Sequence, residues 1–331
     1  MPRIGLMTSG GECAGLNTAL RAVVPRADLG HGWKVIGIEI GTLGLFQKLV
    51  ENRPLSPNDF DGTLIRQSGT ILGSTNTGNP LASESLDGSL ALLKKLGDKV
   101  GISLICIPKT IDNDVGVTEV AVGYDTAVHV ATEALDLLQP TAASHGRVNI
   151  LKVMGWDAGH ILLFFGIVVG ADVILILEIP YDIARVARHL ETAKERGRRF
   201  ALIIVVEAVK SLEGGEVTGG NATGTKLLGG IGHTLTARLS KIVTPDIRLT
   251  VLGHVQRGGI PTARDGLMTS ACGVRAGDLL AEGARNRMAA WRSRAVIDVP
   301  IADAISAYHS VDSDGSVVAT ARDLGISFGY R

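Results

Sequence analysis

The chain has 331 residues, 45% hydrophobic and 20% charged, enough for one large or two medium domains with real cores. Lysine plus arginine equals aspartate plus glutamate at 33 each, so the global charge does not point to nucleic acid or an anionic membrane, and an anionic ligand must be met by local positive clusters. The three cysteines, Cys13, Cys106 and Cys272, are odd in number and lack close CxxC or Cys/His spacing, which predicts reduced thiols in a cytoplasmic protein rather than disulfides or a metal knuckle.

The N-terminal "MPRIGLMTSGG" lacks the apolar length of a signal peptide. "RIGLMT" (3–8) predicts a buried strand and "NTALRAVVPRA" (17–27) a helix, with Pro25 a poor guest near its end. "KVIGIEI" (34–40) and "SLICIP" (103–108) read as strands. Between them, "LDGSLALLKKL" (86–96) reads as a tight turn feeding a helix. "AVHVATEALDLL" (127–138) is a strongly periodic helix. "RVNILKVMG" (147–155), "ADVILILEI" (171–179) and "RFALIIVVEA" (199–208) predict strands, with a helix over 183–197. The apolar run 161–180 approaches a membrane span in length, but Gly166, Gly170 and Asp172 interrupt it, so it reads as a buried helix, a turn and a buried strand. "VKSLEGGEVTGGNATGT" (209–225) reads as a Gly-rich surface loop, followed by a helix near 230–241, a strand over 248–253 and a long helix near 267–283. Apolar strands alternating with helices predict an α/β fold with a mostly parallel, doubly wound sheet.

Three stretches carry chemistry. "LMTSGGECAGLN" (6–17) is a strand, a glycine turn and a helix, where backbone N–H groups can approach a phosphate. It is not GxGxxG, so a dinucleotide fold is not indicated. "PKTIDNDVG" (108–116) places Asp112 and Asp114 two residues apart at a strand end, after a lysine and a threonine. Acid, hydroxyl and cation there suit proton abstraction from an alcohol beside a phosphate chain. The plain alternative is Asn/Asp turn chemistry. "RLTVLGHVQRGG" (248–259) offers Arg248, His254 and Arg257, and "SHGR" (144–147) adds Arg147; together they suit a phosphoryl dianion, and singly they read as solvated surface residues.

In order and spacing, "TSGGE.AGLN", "GTILGS", "DGS", "PKTIDND", "GYDTA", "SHGR", "KVMG", "VVEA" and "LGHVQRGG" resemble the phosphofructokinase family, from about Arg3 to about Ala284. The resemblance implies two doubly wound, Rossmann-like domains with the active site in the cleft between them. The expected boundaries are 1–123 plus 256–306 for a larger donor domain and 124–255 plus 307–331 for a smaller sugar-phosphate domain. It implies a cytoplasmic homo-oligomer, dimer or tetramer, that moves a phosphoryl group from ATP or pyrophosphate, with Mg2+, to O1 of fructose 6-phosphate. Membrane and nucleic acid are not expected partners.

By the same resemblance Asp112 matches the general base for the sugar 1-hydroxyl, Thr110 stands with it as a catalytic residue, and Thr110, Ile111 and Asp114 are its sugar-binding neighbours. Asp87 matches the acid that holds magnesium near the donor phosphates. Gly10 and Gly11 match the donor-phosphate turn, and Asn76, Gly88, Ser89 and Lys109 fall at the donor site. Met154, Gly155 and Glu207 match the sugar pocket, and His254 and Arg257 match ligands of the 6-phosphate. Arg147 and Arg248 match arginines that reach a neighbouring subunit's sugar phosphate. Glycine at position 88 is the family's ATP-type residue, whereas Lys109 occurs in many pyrophosphate users; the pair together resembles a group of ATP-dependent members.

The chain departs from the family before "LDGS". A helix and a buried strand are absent there, on the order of 20 residues by typical element lengths, and Ser85 and Leu86 stand where the family has two glycines. Asn76 replaces an arginine that stabilises the transferring phosphoryl, and Trp156 the arginine after "MG". Glu12 replaces an aspartate, Ser68 a glycine and Arg264 a tyrosine, and Pro25 falls where effector-regulated members have an arginine. The sugar half is therefore expected to be better kept than the donor half. An ATP-dependent enzyme, a pyrophosphate-dependent one and a catalytically impaired sugar-phosphate binder are the readings this leaves.

Overall fold

The computed structural model describes residues 1–45, 50–75, 101–155, 158–213, 218–220, 226–228 and 230–330. The expected acid-Gly-Ser turn, with Asn76, Asp87, Gly88 and Ser89, lies outside the described residues, as does Trp156. The chain divides into two compact units, Met1–Ala127 with Arg257–His309, and Val128–Gln256 with Ser310–Arg331.

In the first unit β1 (Arg3–Leu6) runs parallel to β2 (Lys34–Ile38), and β2 antiparallel to β3 (Asn52–Leu55). Helix α1 (Leu16–Pro25) joins β1 to β2, and the short α2 (Gly41–Leu45) follows β2. Pro25 is the last residue of α1, and Arg26–Gly30 continue as a single π turn, because a proline lacks the N–H an α-helical ladder needs. Leu20, Val24, Ala27, Val35, Leu55, Phe60 and Leu72 form one core.

A second sheet of this unit has β4 (Ile105–Cys106) parallel to β11 (Arg287–Arg292), which pairs antiparallel with β12 (Ala295–Pro300). Ser293 and Arg294, both at positive φ (50° and 63°), turn that hairpin, as two-residue loops of primed type require. Sequence reading missed the hairpin and β3, which lack long apolar runs. The strand expected over 103–108 shrinks to Ile105–Cys106, because its β11 pairing covers only those two residues and Pro108 has no N–H to donate. Val115, Met288, Ala290, Ile301 and Ala304 pack beneath, the last two from α8 (Ile301–Ser306).

Helix α3 (Tyr124–His145) carries the chain into the second unit, starting three residues before the periodic stretch and ending seven beyond it. There β5 (Val148–Val153), β6 (Val173–Leu175), β7 (Ala201–Val206) and β10 (Ile247–Val251) form a wholly parallel sheet in the order β10-β5-β7-β6. Every residue of β5, β6 and β7 is buried, as parallel strands covered on both faces must be. Helices α4 (His160–Val168), α5 (Ile183–Glu195), α6 (Ile231–Leu239) and α9 (Ser316–Asp323) complete the unit. The 161–180 run is a helix, a turn and a strand, and no helix among the described residues is long and apolar enough to cross a membrane.

Strand β6 stops at Leu175 rather than 179, since Ile176–Ile179 turn and the Glu178 carboxylate accepts from the backbone N–H groups of Gly159 and Val311. The Gly-rich stretch is not all loop: β8 (Thr218–Gly220) pairs antiparallel with β9 (Lys226–Leu228). Glycines weaken a strand without forbidding a hairpin. Helix α7 (Ala263–Ala281) belongs to the first unit and packs on α1, where a Cβ on Gly273 would meet Ala22 Cβ at 2.5 Å.

Candidate active site

In the first unit the glycine turn after β1 is built for close approach. Gly10 has φ 82°, a left-handed conformation that glycine adopts without a Cβ clash. A Cβ on Gly11 would lie 2.6 Å from Arg257 Nη1. Two cations flank the turn: Lys109 Nζ donates to the Gly11 carbonyl, and Arg257 Nη1 donates to the Glu12 carbonyl at 3.1 Å. The Ser68 hydroxyl holds the Arg257 carbonyl at 2.7 Å, and the Ser74 hydroxyl donates to the Gly10 carbonyl. Burial holds the Lys109 ammonium below the usual lysine range; Cys13, Asp112 and Asp114 oppose this and Arg257 adds to it.

Lys109 is also the first residue of the acid loop, so the loop and the turn share one side chain. Within the loop, Asp112 N donates to Thr110 Oγ1 at 3.1 Å, and Ile111 is buried beneath. Asn113, buried and at φ 57°, donates from Nδ2 to the Glu119 carbonyl at 3.0 Å and accepts from Ala121 N at 2.8 Å. His309 N donates to the Asp114 carbonyl at 2.9 Å, and Asp114 Oδ1 is buried without a hydrogen-bond partner. The loop's return is pinned as well: Val122 N donates to the Pro108 carbonyl, and Lys109 bridges to Val122.

Just past Val122, Asp265 is fully buried at 0% exposure and caps α3. It accepts from Gly123 N at 3.2 Å, from Thr126 N at 2.9 Å and from Thr126 Oγ1 at 2.5 Å. Burial pushes its carboxyl above the usual carboxylate range, with the Thr126 and Gly123 hydrogen bonds pulling it back.

In the second unit the expected residues gather at the carboxyl end of the parallel sheet, where open α/β sheets bind ligands. Glu207 follows β7, and Met154 and Gly155 follow β5. Met154 N donates to Gln256 Oε1 at 2.8 Å, and a Cβ on Gly155 would meet Val206 Cγ2 at 2.5 Å. His254 is exposed, in the 3-10 turn Gly253–Arg257. Glu207 Oε1 accepts from Lys152 Nζ at 2.7 Å. At the opposite, amino end of the sheet, Arg147 and Arg248 share Asp246 Oδ2, at 3.1 Å and 2.7 Å.

The structure thus joins Gly10, Gly11, Lys109, Thr110, Asp112, Asp114 and Arg257 in one unit, and Met154, Gly155 and Glu207 in the other. Arg257, expected with the sugar 6-phosphate, lies against the glycine turn. Sequence reasoning missed Lys152, Gln256, Asp246, Asn113 and Asp265. A signal existed for Lys152, a lysine inside the apolar run "NILKVMG". Asp265, at the first turn of a helix, offered none. Among the described residues no three His, Cys, Asp or Glu side chains gather as metal ligands.

Comparison with known proteins gives the geometry its family. The phosphofructokinase family model matches residues 3–86 and 87–280. A protein of Synechocystis sp. named ATP-dependent 6-phosphofructokinase 1 is 46% identical over 99% of this chain and 98% of its own. An ATP-dependent 6-phosphofructokinase of Chloroflexus aurantiacus is 41% identical over 99% and 98%. Among solved structures, Saccharomyces cerevisiae phosphofructokinase superposes with TM-score 0.77 at 24% identity over 98% of this chain, which spans 47% of the yeast chain. A pyrophosphate-dependent phosphofructokinase of Marinobacter aquaeolei gives TM-score 0.77 at 19% identity over 99% of this chain and 88% of its own. At such identities these two speak for the fold alone.

The family match breaks between Leu86 and Asp87. The Synechocystis alignment runs over 355 positions against the 331 residues of this chain, so the relative carries about two dozen residues without a counterpart here. With matches on both sides of that break and full-length similarity to curated members, the chain belongs to the phosphofructokinase family.

Proposed function

We propose that the protein transfers the terminal phosphoryl of ATP to O1 of fructose 6-phosphate, giving fructose 1,6-bisphosphate. The observation that carries this reading is Lys109, which follows Pro108 into the acid loop and donates to the Gly11 carbonyl. It ties a proton-abstracting loop to a phosphate-binding turn within one unit.

In this reading the first unit is the donor domain and the second the sugar-phosphate domain. Asp112 takes the proton from the sugar 1-hydroxyl as the oxygen approaches the phosphoryl. Thr110, Ile111 and Asp114 shape the acceptor's surroundings, and the buried, unpartnered Asp114 Oδ1 suits a hydroxyl donor or a metal-bound water. Gly10 and Gly11 cradle donor phosphates, with Lys109 supplying positive charge where phosphoryl transfer is mostly positioning and electrostatics, and Arg257, beside that turn, is a ligand of the sugar 6-phosphate. Asn76, Gly88 and Ser89 complete the donor site, and Asp87 would hold Mg2+, whose chemistry is to neutralise charge on the phosphates. Glu207, Met154, Gly155 and His254 bind the sugar phosphate. Arg147 and Arg248 reach a neighbouring subunit's sugar phosphate in a cytoplasmic homo-oligomer.

The break at Leu86–Asp87 favours a second reading, a member that binds sugar phosphate without turning it over. A coupled assay for fructose 1,6-bisphosphate, run with ATP and then with pyrophosphate, decides. Turnover with ATP supports the first reading. Turnover with pyrophosphate alone changes the donor. Sugar-phosphate binding without turnover establishes the second reading.

A further inference from the structure

Strand β5 is buried at every position, yet one of its residues is a lysine. Lys152 is 5% exposed, and an ammonium is almost never buried to that degree without a partner. Its partner is Glu207, with Nζ 2.7 Å from Oε1 and the two side chains 6% and 16% exposed. The register explains the meeting: Val153 pairs with Val206, so Glu207 is the first residue beyond the ladder, and Lys152 reaches along its strand to that end. Met154 and Gly155 leave β5 beside it, with Gln256 holding Met154 N. A buried strand does not need an ion pair, since apolar side chains of similar volume hold such positions as well or better. This pair stands at the carboxyl end of the parallel sheet, where open α/β sheets bind ligands.

We propose that Lys152 is a positioning residue for sugar recognition, a role that rests on reading Glu207 as the carboxylate for fructose 6-phosphate hydroxyls. The ammonium takes Oε1 and fixes the carboxylate plane. It leaves Oε2 as the acceptor presented to the sugar. With its Oε1 taken by the ammonium, a carboxylate offers only acceptor oxygen at Oε2, so it selects hydroxyl donors and rejects carbonyl or carboxylate groups at that point.

The test compares wild type, Lys152→Met, Glu207→Gln and the double variant, reading kcat, both KM values and the calorimetric Kd for fructose 6-phosphate. Lys152→Met should raise the fructose 6-phosphate KM and Kd by about tenfold to a hundredfold. The KM for ATP and kcat should stay within about threefold, a split that loosened packing would not produce. The double variant should be no worse than Glu207→Gln alone, because the two groups act as one unit. Lys152→Gln keeps a donor without the charge and should fall between wild type and Lys152→Met; it carries the test if the methionine variant fails to fold. A folded Lys152 variant with sugar KM and Kd within twofold of wild type overturns the positioning role, as does a double variant whose losses multiply. A wild-type protein that neither binds nor turns over fructose 6-phosphate overturns the Glu207 reading and this role together.

Discussion

Replacing Asp265 by asparagine should loosen the acid loop from a distance. The carboxylate has no solvent exposure and serves three donors: Oδ1 takes Gly123 N, and Oδ2 takes Thr126 N and Oγ1. An amide has one carbonyl oxygen. If it occupies the Oδ2 place, the NH2 faces Gly123 N, donor against donor, and one backbone N–H at the start of α3 is orphaned. Losing a hydrogen bond to a charged acceptor costs about 1.5–3 kcal/mol. Relief of the buried charge offsets part of this, leaving about 2 kcal/mol, or about 4–8 °C in the melting of a unit this size.

Burial raises the folded pKa of Asp265, so its protonation stabilises the fold most below the unfolded carboxyl value of about 3.9. That contribution is lost as pH rises through the folded value. The stability gap between wild type and Asp265→Asn should therefore be larger at pH 4 than at pH 7. Gly123 adjoins Val122, which pins Pro108 and Lys109, so kcat should fall with stability. Calorimetry at both pH values, with the coupled assay, checks this. A melting temperature within 1 °C of wild type and unchanged kcat would refute the reasoning.

Other outcomes follow from the site. Asp112→Asn should lower kcat by about a hundredfold to ten-thousandfold while sparing fructose 6-phosphate binding, because a general base is worth that much; retained turnover removes Asp112 as the base. Arg248→Ala should raise the apparent KM for fructose 6-phosphate with little change in melting, since its bond to Asp246 is a half-exposed surface pair worth at most about 1 kcal/mol. An unchanged KM would count against a role for Arg248 at a neighbouring site. Burial pushes the Cys13 and Cys272 thiols up to about 12, and both are 1% exposed. At pH 8 the native protein should resist iodoacetamide at both positions, and denatured protein should label fully by mass spectrometry; rapid native labelling of either would contradict that burial.

Much of the second unit was legible from residues alone. Its strands are continuous runs such as "ALIIVV", and a parallel sheet buried on both faces must be written that way. The acid loop was legible too, because carboxylates and a lysine crowd one strand end. The hairpin of β11 and β12 was not, since "RMAAWR" and "AVIDVP" alternate too weakly to declare a strand without their partner.

The sequence by itself determined where apolar faces lie and which short segments bring together the glycines, carboxylates and lysine that suit phosphate and proton chemistry, since periodicity and turn composition are local properties. Only the tertiary structure decided who meets whom. Lys152 finds Glu207 through the register of β5 on β7, Asp265 caps a helix that begins far earlier in the chain, and Arg257 meets Glu12 across 245 positions. Buried charges must find partners wherever the packing brings them. That requirement acts through space, and no stretch of neighbouring residues records its outcome.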